Sequence, residues 1–235
     1  MDTALEHRTR VVEVIHRGDH AVSVRLERPE GFTYLPGQWA FVRFDRGTEI
    51  LAHHLTLSSS PTEPFLEMTK GMTGHPFAEA FAALAPGDEV TIEGPHGQFT
   101  IREGDEDAVF VSGGIGVTPL RSMARYAADA GLLFRILLLY SARTEAALLF
   151  SEEFEELQRT NPRFTLRVTL THPDPGWQGH TGRIDRALLE EAVGGIRDRA
   201  FYVSGPAAMV DEMATVFKAM GVPDELVRRE VFTGY

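Results

Sequence analysis

Cysteine is missing altogether from the 235 residues. That rules out a disulfide framework, a cysteine-ligated iron–sulfur cluster and a cysteine-rich zinc site. If this chain moves electrons, the redox group is a bound cofactor or sits on a separate partner. Basic charge is also short, with 23 Lys and Arg against 34 Asp and Glu for a formal net charge of −11. With no basic cluster, the chain is a poor candidate for nucleic acid or an anionic membrane surface. The acidity reads as solubility, ahead of a preference for basic protein partners. Long hydrophobic runs are absent as well. No stretch of 18 apolar residues occurs, the segment Met1–Arg10 carries no apolar signal core, and the run Ile136–Leu139 is of strand length. A cytoplasmic protein with no membrane span is expected. At 43% apolar and 24% charged residues the composition is that of a globular protein, long enough for one large domain or two smaller ones.

The texture changes near position 103. Before it, Arg10–Ile15, Ala21–Leu26, Ala40–Phe44, His54–Ser58, Phe65–Met68 and Glu89–Glu93 read as short strands. Turn chemistry separates them at Pro36-Gly37, Pro61 and Pro86-Gly87-Asp88. One helix interrupts the series over Pro76–Leu84, with Phe77, Phe81 and Leu84 on one face. Strands at this spacing predict a small antiparallel β barrel. After it, strands at Ala108–Val111, Phe134–Tyr140, Phe164–Thr171 and Ala200–Val203 alternate with helices at Thr118–Ala130, Ser151–Arg159, Asp185–Val193 and Pro206–Met220. Such alternation predicts an α/β domain, a parallel sheet with helices on both faces. The charged stretch Arg102–Asp107 serves as a linker, giving domains of 1–103 and 104–235.

The most informative loop is Val109–Leu120. An apolar strand runs into Gly113-Gly114-Ile115-Gly116, and Thr118 and Pro119 suit the cap and first position of a helix. Glycines let backbone approach a phosphate, and a helix N-terminus offers free N–H groups. Alone such a turn is weak, since many only pack a helix against a sheet. Between a first strand and its helix it favours a nucleotide site at the carboxyl ends of the strands. Tyr140-Ser141-Ala142-Arg143 and Ser204-Gly205-Pro206 end two further strands on that edge. Arg143 is equally well a solvated surface charge. In the first half His53–Pro61 (HHLTLSSSP) is unusual. Leu55 and Leu57 form one face of a strand, while His54, Thr56 and Ser58, with Ser59 and Ser60 after them, form a row of polar groups. An exposed face is the ordinary explanation, and a hydrogen-bonding surface for a heterocycle and its phosphates is the other.

Together these segments resemble the ferredoxin–NADP reductase superfamily over nearly the whole chain. The order of motifs matches: Pro36-Gly37-Gln38, His53–Pro61 for the flavin motif Arg-x-Tyr-Ser/Thr-x-x-Ser, Gly94–Phe99 (GPHGQF), Gly113–Pro119, Ser204–Pro206 and Glu230-Val231-Phe232. The resemblance implies a flavin-binding barrel followed by a nucleotide-binding α/β domain, with FAD between them and NAD(P)H as co-substrate. It implies that His53, His54 and Leu55 belong to the flavin site and that Thr56 hydrogen-bonds near the flavin N5. Ser59 and Thr73 would contact the flavin pyrophosphate, and the backbone of Met68, Thr69 and Lys70, continuing to Gly71, would run beside the ring. Gly113, Gly114, Gly116, Thr118 and Pro119 would face the dinucleotide pyrophosphate. Ser141 and Arg143 would lie near its adenosine ribose, and Gly205 and Pro206 near its nicotinamide. Thr56, Ser204 and Glu230 would be the catalytic positions, with Phe232 and Tyr235 closing over the flavin. No metal site is implied.

Two departures stand out. The motif's arginine is His53 and its aromatic is Leu55. A neutral imidazole holds a pyrophosphate less well than a guanidinium, and leucine offers no stacking face. Ser204 stands where many relatives have cysteine. The implied activity is hydride transfer from NAD(P)H to FAD, with electrons passed to a separate ferredoxin, oxygenase or haem protein. The weakened flavin motif keeps open an NAD(P)H:flavin oxidoreductase that uses flavin as substrate. A non-catalytic electron-transfer or regulatory subunit is a third reading, although neither nucleotide loop is lost. The absence of a Ser-Arg pair in Thr169–His172 tilts the cofactor choice towards NADH.

Overall fold

The computed structural model describes residues 5–45, 47, 49–194 and 199–232. Its first half is an antiparallel sheet of β1 (Leu5–Arg17), β2 (Ala21–Glu27), β3 (Trp39–Asp45), β4 (Ile50–Thr56), β5 (Phe65–Gly71) and β6 (Glu89–His96). The strand order is β4-β3-β6-β1-β2-β5, and a single bridge between Leu57 and Met68 brings the two edges together. Alternation drives this closure: in β3, Ala40, Val42 and Phe44 point inward and the residues between them outward. Helix α1 (Pro76–Ala82) plugs one end, its Phe77 and Phe81 packing with Phe44 in the barrel core. His75 caps it by accepting from the Phe77 N–H, and Pro76 takes the first turn, where no intrahelical partner is lost.

The second half is an all-parallel sheet, β10-β9-β8-β7-β11-β12, built from β7 (Asp107–Gly113), β8 (Arg135–Ala142), β9 (Phe164–Leu170), β10 (His180–Thr181), β11 (Ala200–Pro206) and β12 (Val227–Phe232). Helices α2 (Val117–Asp129), α3 (Ser151–Thr160), α4 (Arg186–Val193) and α5 (Ala207–Ala219) connect them. Period-two alternation divides the core. Phe110, Leu138 and Tyr202 face α2 and α3, whereas Val109, Leu139 and Phe201 face α4 and α5. Ala21 and Phe99 from the barrel half join the first of these clusters, so the two halves share apolar packing.

Three local expectations change. The strand expected at His54–Ser58 is centred three residues earlier, because Leu57 to Ser60 leave the ladder for partners described below. Thr118 does not cap α2: a 3₁₀ turn over Gly114–Gly116 leads straight into the helix, and the Thr118 hydroxyl donates to the Ile115 carbonyl at 3.0 Å. Pro119 therefore sits third in the helix, still among the first-turn residues whose N–H groups lack intrahelical acceptors. Pro206 is the N-cap of α5 rather than its first residue.

Candidate functional site

Two contiguous openings lie between the barrel and the carboxyl edge of the parallel sheet. The wider is a cavity of about 510 Å³ lined by Gly113, Gly114, Ser141, Arg143 and Pro206 from the sheet edge and by Gly71 and Thr73 from the barrel. The second is a narrower cleft lined by His53, His54, Leu55, Thr56, Thr69, Lys70, Gly71 and Thr73, with Glu230 and Phe232 on its far side. Gly71, Thr73 and Ile115 line both. Most of the residues singled out from the sequence thus converge on one place.

The glycines of the turn do different work. A Cβ on Gly113 would collide with the Met209 sulfur, and one on Gly116 with the Ser204 carbonyl, so these two allow β7, β11 and α5 to close up. Gly114 has φ +55° and open space where its Cβ would be, so it is the glycine that keeps a cradle free at the cavity wall.

Other expected site residues are elsewhere. Met68 is in the barrel core. Gly116, Thr118 and Pro119 are buried beneath the turn and line neither opening. The expected contact of Ser59 with a pyrophosphate is not supported by its position. It is fully buried, its hydroxyl 2.9 Å from the Tyr34 hydroxyl and accepting from the Glu67 N–H at 2.9 Å. Ser58 is likewise committed, donating to the Glu67 carbonyl at 3.0 Å. The serine run is therefore neither an exposed face nor a ligand surface beyond Thr56. Gly205 is buried and outside both linings, while Ser204 lies in register between Ser112 and Glu230. The Ser204 and Ser112 hydroxyls are both buried with no hydrogen-bond partner among the described residues. Tyr235 lies outside the described residues. Sequence reading missed Trp39, Thr171, Arg183, Met209 and Glu212. Trp39 belongs to the cleft lining and the other four to the cavity. Trp39 opens β3, Thr171 follows β9 and Met209 lies in the first turn of α5, places that could have signalled them, whereas Arg183 in a loop and Glu212 within α5 carried no such mark.

Charge in the cleft comes from one cation. Lys70 is buried, has no ion-pair or hydrogen-bond partner among the described residues, and its pKa is lowered by burial. His53 also has its pKa lowered by burial, its ring tilted against Phe77 at 5.0 Å and its Nδ1 2.8 Å from the His54 carbonyl. It is therefore neutral at pH 7. Burial raises the Glu230 carboxyl, favouring its protonated, donor form. At the cavity rim Arg143 is exposed, and Arg183 lies 3.7 Å from Glu212. Among the described residues no cluster of metal-ligating side chains occurs, and no helix is long and apolar enough to cross a membrane.

Comparison with known proteins agrees with this geometry. The oxidoreductase NAD-binding domain family matches residues 110–215. The Neisseria gonorrhoeae ferredoxin NADP+ reductase, solved with FAD and NADP, superposes with a TM-score of 0.83 over 96% of this chain and 98% of its own, at 18% identity. The chain shares the fold of a ferredoxin NADP+ reductase and carries a match to an oxidoreductase NAD-binding domain. The Amycolatopsis cytochrome P450 reductase, at 25% identity and TM-score 0.85, covers 99% of this chain and 72% of its own. One subunit of the Na(+)-translocating NADH-quinone reductase of Klebsiella pneumoniae is 38% identical over 162 residues, 65% of this chain and 39% of that one. The chain thus spans well under half the length of the curated relatives it matches. Against the superfamily's flavin motif, the two departures His53 and Leu55 both line the cleft, where Lys70 is the buried cation.

Proposed function

We propose that this protein takes hydride from NAD(P)H onto FAD held in the cleft and passes the electrons to a separate redox protein. The observation that carries this reading is the continuity of the two openings through Gly71, Thr73 and Ile115. A dinucleotide in the cavity and a ring in the cleft would meet there. The residues present fit both groups. Gly114 leaves a cradle for a phosphate ahead of α2, and the cleft offers the hydroxyls of Thr56 and Thr73 with the Lys70 ammonium.

FAD, when bound, supplies the hydride-accepting chemistry. The chain supplies geometry and polarity. Thr56 would donate a hydrogen bond to the bound ring and Lys70 would balance its negative charge, while burial raises the Glu230 carboxyl and favours its protonated form beside the same cleft. Leu55 and Ile115 exclude water from the meeting point. Likeness to a subunit of an NADH-quinone reductase, and to a P450 reductase, supports a protein acceptor.

His53 and Leu55 favour a second reading, in which flavin is a substrate that comes and goes, since neither a permanent charge nor a stacking ring stands at those positions. The visible spectrum of purified protein, before and after anaerobic NADH or NADPH, separates the two. A flavin band that bleaches supports the holo-reductase. A colourless protein that reduces added flavin supports the second reading, and a band that neither nucleotide bleaches sinks both.

A further inference from the structure

Immediately after the glycine turn, α2 presents Arg121 and Ser122 to the barrel. The Arg121 side chain is only 4% exposed. Its Nη1 donates to the Ser58 carbonyl at 2.9 Å, and the next residue, Ser122, donates its hydroxyl to the Ser59 carbonyl at 2.6 Å. The guanidinium is held in its plane by both carboxylate oxygens of Glu63 from the barrel and by Glu153 from α3, whose Oε2 accepts from Nε at 3.0 Å. The Ser60 N–H in turn donates to Glu63 at 2.7 Å.

A buried ion network of this kind is a poor stabiliser compared with apolar packing, because desolvation offsets much of the attraction. What it can give is a fixed geometry, and its position says which. Ser58 lies two residues beyond Thr56, and the intervening Leu57 is pinned by its N–H to the Gln38 carbonyl at 2.9 Å and by its bridge to Met68. On the other side, Arg121 lies on the helix that begins directly after the Gly114–Gly116 turn, and Ile115 lines both openings.

We infer that Arg121 and Ser122 are positioning residues, a clamp that sets the distance between the dinucleotide seat at the glycine turn and the flavin seat at Thr56. The inference rests on the hydride-transfer reading above. It places the sensitivity in the reduction step, because misplacing reacting groups by about 1 Å costs up to ~100-fold in rate without loosening either ligand. Both residues lie outside the two cavity linings, so neither touches the ligands.

Arg121→Lys keeps the charge but not the planar fork, and Ser122→Ala leaves the ion network untouched, so a folding failure in the first does not spoil the second. Stopped-flow reduction of the flavin-loaded protein over a range of NADH concentrations yields the limiting rate and the NADH dissociation constant separately. Hydrogen exchange of the amides of Leu57–Ser60 reports the clamp without any turnover. The expected result is a limiting rate lowered about 10- to 100-fold in Arg121→Lys and less in Ser122→Ala, with NADH affinity unchanged and exchange accelerated. Wild-type reduction rates in both variants, with exchange accelerated, would reduce the clamp to a structural contact and overturn the inference alone. A wild-type protein that neither nucleotide reduces overturns the functional reading and the clamp with it.

Discussion

Residue by residue, the first half carries two departures from uniform barrel chemistry, and each makes a measurable prediction. Glu67 is fully buried, yet Arg17 Nη2 and Arg25 Nε bond its two oxygens at 2.9 and 2.8 Å. Burial works to raise this carboxyl, but Arg17, Arg121 and Arg25 outweigh it and hold it below the ordinary value of 4.5. Its stabilising contribution is therefore complete above that value and is lost as pH falls through the lower one imposed by the fold. Glu67→Gln should lower stability at neutral pH by about 3 kcal/mol, at the low end for a broken buried pair because both arginines can turn towards water. Urea titrations at intervals between pH 3 and 7 should show the difference between variant and wild type shrinking on the acid side. The second departure is His53, where a neutral ring occupies the place of a guanidinium. Restoring the charge by His53→Arg should tighten flavin binding about tenfold, the worth of one charge-assisted hydrogen bond. Fluorescence titration of the cofactor-free protein with FAD measures it, and unchanged affinity would mean that Lys70 already satisfies the site.

Among the elements, the glycine turn shows how unlike jobs hide in one run of like residues. Gly114→Ala meets no steric obstacle but asks alanine to hold φ +55°, a strain of about 1–2 kcal/mol, and puts a methyl group into the cradle. Its main effect should be weaker NAD(P)H binding with the fold retained. Gly116→Ala drives a Cβ into the backbone of β11 and should instead lower the melting temperature sharply, the turn being unable to back away from Ser204. Thermal melts beside nucleotide titrations of the two variants decide this. Which glycine did which was not legible in the sequence, although the strand–turn–helix frame was. That frame rests on periodicity, and period-two and period-3.6 patterns survive in a single chain. The barrel and the parallel sheet were legible for the same reason. The serine run was not. Its partners Arg121 and Ser122 lie 63 positions away, and no local pattern announces a carbonyl held at that range. Nor was β12, whose Val-Arg-Arg-Glu-Val-Phe sequence carries too few apolar residues to look like a strand until β11 offers it a parallel partner.

For the molecule as a whole, the question is whether barrel and nucleotide half behave as two bodies or one. Length and linker composition suggest two, and each half has its own core. Three kinds of contact argue against independence. Phe99, just beyond β6, packs in the cluster that holds Leu120 and Met123 of α2. The Pro36-Gly37-Gln38 turn sits so close to Phe99 and Met123 that a Cβ on Gly37, at φ +99°, would strike both. Arg121 and Ser122 spend their donors on barrel carbonyls, so separating the halves would strand a guanidinium and its carboxylates in partly dry surroundings. Unfolding either half alone would therefore expose the apolar cluster and break the ion network at once, which raises the energy of any half-folded state. Scanning calorimetry should record one transition with calorimetric and van't Hoff enthalpies in agreement. Arg121→Lys together with Ser122→Ala should broaden it or split it in two, because the polar part of the seam is then gone while both cores remain. Two transitions already in the wild-type protein would show that the seam is too weak to hold a distance, and the clamp could not then govern hydride transfer.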